Sequence, residues 1–173
     1  MGKKKISCLL SEESIDKAVK ELNVYQKDIA NKTDLFREKV AERIAEIASR
    51  GFNNSIVDDS LNGNSRKAEV DVSISDNGSI TTVIANGEDA VWVEFGAGVY
   101  HNGSAGSSPH PSGSELGFTI GSYGKGRGKQ KVWGYFEDGE LKLTHGTPAT
   151  MPMYMAMQDT LKEIVSIAKE VFK

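Results

Sequence analysis

Val91-Trp92-Val93-Glu94-Phe95-Gly96-Ala97-Gly98 is an apolar, aromatic run with one carboxylate in its middle and two glycines at its end. Val, Trp and Phe side by side mark a buried element, and Gly96 and Gly98 let the backbone turn where a Cβ would clash. At this length periodicity does not separate a strand from a short helix. As a strand, the run places Val91, Val93 and Phe95 on one face and Trp92 and Glu94 on the other.

Upstream, Val70, Val72 and Ile74 alternate with Asp71, Ser73 and Ser75 before Asp76-Asn77-Gly78. That alternation predicts a hairpin. A two-residue turn pairs Ile74 with Thr81; a three-residue turn with Gly78 left-handed pairs Ile74 with Ile80, Val72 with Thr82 and Val70 with Ile84. The second register puts the apolar side chains on one face and is the expected one. Further back, Asn53 to Arg66 is polar and reads as a loop. Ser11 followed by Glu12 and Glu13 is an N-cap with acids in the first turn. Ile15, Val19, Leu22, Tyr25, Ile29, Phe36, Val40, Ile44 and Ile47 then recur every three to four residues. One long helix is expected to about Arg50, with Gly51 at C′ and Thr33 the place for any kink.

Downstream, residues 99 to 131 hold many of the glycines and serines, with Pro109-His110-Pro111 and a basic end at Lys125, Arg127, Lys129 and Lys131. A loop this long inside a compact domain is functional or disordered. The span from Asn102 to Gly128 is expected to be mobile in a free subunit and more ordered in an assembly, because Gly and Ser carry a high ordering cost. A second hairpin follows, with Trp133 and Tyr135 leading into Glu137-Asp138-Gly139 and Leu141 and Leu143 leading out. A three-residue loop would pair Tyr135 with Leu141 and Trp133 with Leu143. Thr150 and Pro152 open a terminal helix with the stripe Met153, Met157, Leu161, Ile164, Ala168 and Val171. Long N-terminal helix, two hairpins in a small antiparallel sheet and a C-terminal helix make an α+β fold, expected as one domain over the 173 residues.

The net charge of −3 argues against a general nucleic-acid binder, and the lone Cys8 makes no internal disulfide. No apolar run approaches the ~20 residues of a membrane span. His101, His110 and His145 match no metal-ligand spacing. Glu94 near Glu88 and Asp89 suggests paired carboxylates for hydrolysis, although a half-buried ion-pair or interface acid is the commoner role. Gly124-Lys125-Gly126-Arg127-Gly128 lacks the Lys-Ser/Thr ending of a phosphate loop. The serines between Ser104 and Ser122 form no nucleophile elbow. Met151, Met153, Met155 and Met157 suit core filling or an adaptable partner surface. No cofactor or metal is expected.

Val93-Glu94-Phe95-Gly96-Ala97-Gly98, Trp133-Gly134-Tyr135, His145-Gly146 and Pro152-Met153-Tyr154-Met155 occur in that order. In this the chain resembles the small tail-component proteins of long-tailed phages, the tail-completion or head–tail joining family, over about Ser14 to Phe172. It departs from them in having Pro152-Met153 where Pro-Phe is usual, in lacking the usual proline just downstream within Tyr154 to Gln158, and in a longer loop from Val99 to Lys131. The resemblance implies a structural virion protein of a phage or prophage, made in the host cytoplasm. It would form a homo-oligomeric ring at the head-proximal end of the tail, with tail-tube and neck proteins as partners, no membrane and no catalysis. DNA would pass through its channel without specific binding, which suits an acidic chain. The implied subunit or partner interface is Trp92, Glu94, Phe95, Gly96, Gly98, Trp133, Tyr135, Gly146, Pro152 and Met153, with Trp92 and Glu94 pointing outward and the glycines allowing close backbone approach. The competing readings are a phage-associated hydrolase or nuclease using Glu94 and the loop histidines, and a nucleic-acid module using the Lys125 to Lys131 arm.

Overall fold

The computed structural model describes residues 5–57, 65–97, 108–118 and 132–173, apart from the side chains of Trp133 and Tyr135. The fold is α+β. Helix α1 spans Glu12–Asn54, α2 spans Ala90–Phe95 and α3 spans Pro152–Val171. Three antiparallel two-stranded ribbons lie between them in sequence: β1 (Ile56–Val57) with β2 (Arg66–Lys67), β3 (Asp71–Asp76) with β4 (Thr81–Asn86), and β5 (Trp133–Glu137) with β6 (Glu140–Thr144). The two hairpins remain separate ribbons.

Helix α1 begins as its sequence dictates. Ser11 is the N-cap, its hydroxyl accepting the Ser14 N–H, and Glu12 and Glu13 sit in the positive first turn. It ends later than expected. Gly51 is not the C′ residue but lies inside the helix, where Pro152 of α3 packs against it; a Cβ there would come within 2.8 Å of the proline Cβ. The extra turn buries Phe52, and Ser55 closes the end, its N–H donating to Phe52 O and its hydroxyl to Gly51 O. The Ser55 carbonyl then accepts the Ala68 N–H beside the β1–β2 ribbon, so part of the expected loop from Asn53 to Arg66 is paired backbone.

Helix α3 runs antiparallel along the C-terminal half of α1. Arg43 makes a bidentate pair with Glu163, Lys39 pairs with Glu170, and the Phe36 and Phe172 rings meet. Ala48, Phe52, Val57, Ala68, Ala90, Val93 and Ala156 form the buried core, with Ile44, Ile47, Val70, Val72 and Met153 packed around it. The expected stripe holds at Val171, which is buried, and at Met153, which packs on the core, but Met157 and Leu161 remain exposed and Pro152, Ala156 and Thr160 are buried instead.

Both hairpin registers differ from expectation. In the first, Ile74 pairs with Val83 and Val72 with Ala85, around a four-residue loop from Asn77 to Ile80. Asn77 Oδ1 accepts the N–H groups of Ser79 and Ile80, and Asp76 accepts from Gly78, which stabilises the longer loop. This register aligns Val72 and Ile74 with Ala85 and Val83 and leaves Ile74, Ile80 and Ile84 exposed. In the second, Trp133 pairs with Thr144 and Tyr135 with Lys142. Asp138 and Gly139 form a two-residue turn with φ of 51° and 83°, both left-handed as a type I′ turn requires. Gly78 and Gly139 do have positive φ, as expected.

Candidate functional site

The run that opened the sequence reading is a helix, so the strand-based division of its faces lapses. Ala90, Val93 and Glu94 form the buried side of α2, one helical turn apart. Trp92 and Phe95 are half-buried and Val91 is exposed. Gly96 ends the helix at φ 80° and ψ 153°, a region essentially restricted to glycine, and its N–H donates to Trp92 O. The close approach that this glycine permits is within the chain: a Cβ would lie 3.0 Å from the Ala149 Cβ and 3.2 Å from the Ala149 N.

The segment from Val93 to Ala97 is joined by hydrogen bonds to the start of α3. Ala97 and Thr147 exchange two backbone bonds of 2.9 and 2.8 Å, and Val93 O accepts the Thr150 N–H at 3.0 Å. Ahead of that bridge, Gly146 is buried at φ 93° and donates its N–H to Thr144 Oγ1. Met151 then holds the left-handed N-cap position with no capping side chain. Pro152 is the first helical residue and has no N–H. The next two donors, Met153 N and Tyr154 N, go to Glu94 Oε2 at 2.8 Å and Oε1 at 2.9 Å. Glu94, 7 % exposed, is thus the cap of α3 supplied from a distant helix. Its negative charge faces the positive helix end and satisfies both remaining first-turn donors.

Around this carboxylate is a cluster of rings. His110 Nε2 is 3.3 Å from Glu94 Oε1, and His110 Nδ1 accepts the Ser112 N–H, which puts the proton of the neutral ring on Nε2. Phe95 stacks on Phe118 at 4.2 Å between centroids and meets His110 at 4.5 Å, while Tyr154 approaches His110 edge-on. Residues 108–118, taken from the sequence as open loop, form a compact turn in which Ser108 N and Phe118 N bond across to Phe118 O and Gly113 O. The rest of the expected loop, with its mobility, lies outside the described residues, as do Gly98, His101 and the Lys125 to Lys131 arm. The side chains of Trp133 and Tyr135 also lie outside them; their backbone is in β5.

Glu94, Phe95, His110 and Tyr154 also form part of the wall of a mostly apolar groove of about 640 Å³. Phe36, Val40 and Ile44 of α1, Val83 of β4, and Met153 and Met157 of α3 supply most of its apolar wall. The carboxylates proposed as a hydrolytic pair have different partners. Asp89 takes both arms of the Arg66 guanidinium at 2.6 and 2.8 Å and the Glu69 N–H at 3.0 Å, partners distinct from the α3 donors that Glu94 caps. The Arg66 bonds hold the Asp89 carboxyl below the usual carboxylate range against the opposing effect of burial. Among the described residues no group of three His, Cys, Asp or Glu side chains is arranged as metal ligands, and no helix is long and apolar enough to cross a membrane.

Sequence reasoning singled out Glu94, Gly96, Pro152 and Met153 separately, and the structure brings them into one joint. It missed Arg66 and Phe118. The signal for Phe118 was an aromatic inside a Gly/Ser tract beside two prolines; Arg66 carried no local signal, because its partner is 23 residues away. No protein-family model, curated protein or solved structure matches the chain.

Proposed function

We propose that this chain is a structural virion protein of a long-tailed phage or prophage, forming a ring at the head-proximal end of the tail that completes the tail and joins it to the head. The observation that carries the reading is the N-terminal half of α1. Helix α3 reaches only from about Lys32 to Gly51 along it, as the Lys32–Lys173 and Gly51–Pro152 contacts at its two ends mark out. From Glu12 to Asn31 the apolar stripe continues in phase, yet Ile15, Val19, Leu22 and Tyr25 are exposed. A helix of that length with a bare apolar face is suited to assembly rather than to a solitary subunit.

The joint around Glu94 supports the same reading. Both oxygens of the acid that a hydrolase would need are engaged by backbone donors of α3. The quoted motifs, which carry the resemblance to tail-completion proteins, sit where the chain needs rigidity: Gly96, Gly146 and Pro152 have intrachain structural roles in this joint. The test is genetic. In a phage or prophage carrying this gene, a stop codon early in it is expected to yield filled heads and free tails that do not join, with purified protein restoring infectious particles. Normal joined particles from the interrupted gene would exclude the role.

A further inference from the structure

We infer that the overhanging half of α1 seats in the apolar groove of a neighbouring copy, so that subunits link head to tail. This rests on the ring reading and names the contact that would build it. Ile15, Val19 and Leu22 repeat at i, i+4 and i+7, the spacing with which a helix anchors in a groove. They span about 10 Å along the axis, and the groove follows α1 from Phe36 to Ile44 for about 12 Å. Most of the groove wall is apolar, with Arg37, Thr81, Glu94, His110 and Ser112 as its polar members; Met153 and Met157 lie on its α3 side, and methionine adapts its shape to an incoming surface. Its apolar surface continues along α3 through Leu161 and Val165, both exposed.

The overhang cannot fill the groove of its own chain. It belongs to one continuous helix, Glu12–Asn54, whose middle is itself a wall of that groove. Only another copy brings the two surfaces together. Because they are different surfaces, each copy gives one contact and receives one, an arrangement that forms a ring when the rotation between copies closes.

Sedimentation velocity on the full chain and two variants tests this contact. Leu22 is 53 % and Met157 42 % exposed, so Leu22→Asp and Met157→Asp are expected to keep wild-type circular dichroism. Leu161→Asp repeats the groove-side change at a more exposed position should Met157→Asp fail to fold. Each variant alone is expected to sediment as a monomer, with the association weakened by roughly 30-fold or more. An equal mixture of the Leu22 and groove-side variants should recover dimers and stop there, since the intact overhang of one meets the intact groove of the other. Rings that persist in both variants would overturn this contact and leave the ring reading standing. A mixture that stays monomeric would likewise overturn it, and a wild-type monomer would overturn both.

Discussion

Replacing Glu94 with alanine should unfold the start of α3 and cost the subunit far more than removal of an ordinary surface acid. The carboxylate accepts N–H bonds of 2.8 and 2.9 Å from Met153 and Tyr154, and Met151, in the N-cap position, offers no side-chain substitute. Hydrogen bonds to a charged partner contribute roughly 1.5–3 kcal/mol each, and the cap faces the positive end of a 20-residue helix. Some of that loss is recovered by water entering beside Met153, so a net cost of about 3 kcal/mol is expected. For a domain of this size that corresponds to a fall in Tm of roughly 6–12 °C. Glu94→Gln should cost about half as much, because the amide oxygen still accepts one N–H while its NH2 opposes the other. Urea melts of the two variants and wild type, followed by tryptophan fluorescence and circular dichroism, give the values. Glu94→Ala within about 0.5 kcal/mol of wild type would refute the capping role.

Three further outcomes follow from the same geometry. Gly96→Ala forces a Cβ into the glycine-only region and against Ala149, and should lower stability by about 2–3 kcal/mol in the same melts. Gly139→Ala, in a turn with open space around it, should cost only about 1 kcal/mol and leave the β5–β6 register unchanged, as cross-strand nuclear Overhauser effects between Trp133 and Thr144 would record. Asp89, with its pKa lowered by Arg66, gives stability that is complete above the unfolded carboxylate pKa of about 4 and disappears as pH falls through the lower folded value. Asp89→Asn should therefore be less stable than wild type by about 1–2 kcal/mol at neutral pH, with the gap closing on acidification; a gap independent of pH would show that the Arg66 pair is not its cause.

The helical parts of the fold were readable because their signals are local. Ser11, the two acids after it and the three-to-four-residue repeat locate α1, and Pro152 locates α3. The hairpins were readable as hairpins but not in register. Apolar alternation favoured Ile80 and Ile84 as the inward residues after the turn, whereas side-chain bonds within the Asn77–Ile80 loop and the packing of Val72 and Ala85 on the core select the opposite parity. In β5–β6 the local Asp138-Gly139 turn preference outweighs gathering the apolar residues on one face. Glu94 was conspicuous in sequence as an acid inside an apolar run, but its partner donors are 59 and 60 residues away. No local pattern distinguishes such a distant cap from an interface acid. The end of α1 was misplaced for the same reason, since the glycine at 51 that looked like a helix stop is instead required by the close packing of Pro152.

Electron microscopy of the purified full chain at micromolar concentration tests the central claim most directly. The account predicts closed rings with a central channel, each subunit projecting its long helix onto the next; a uniform population of compact monomers under the same conditions would contradict it.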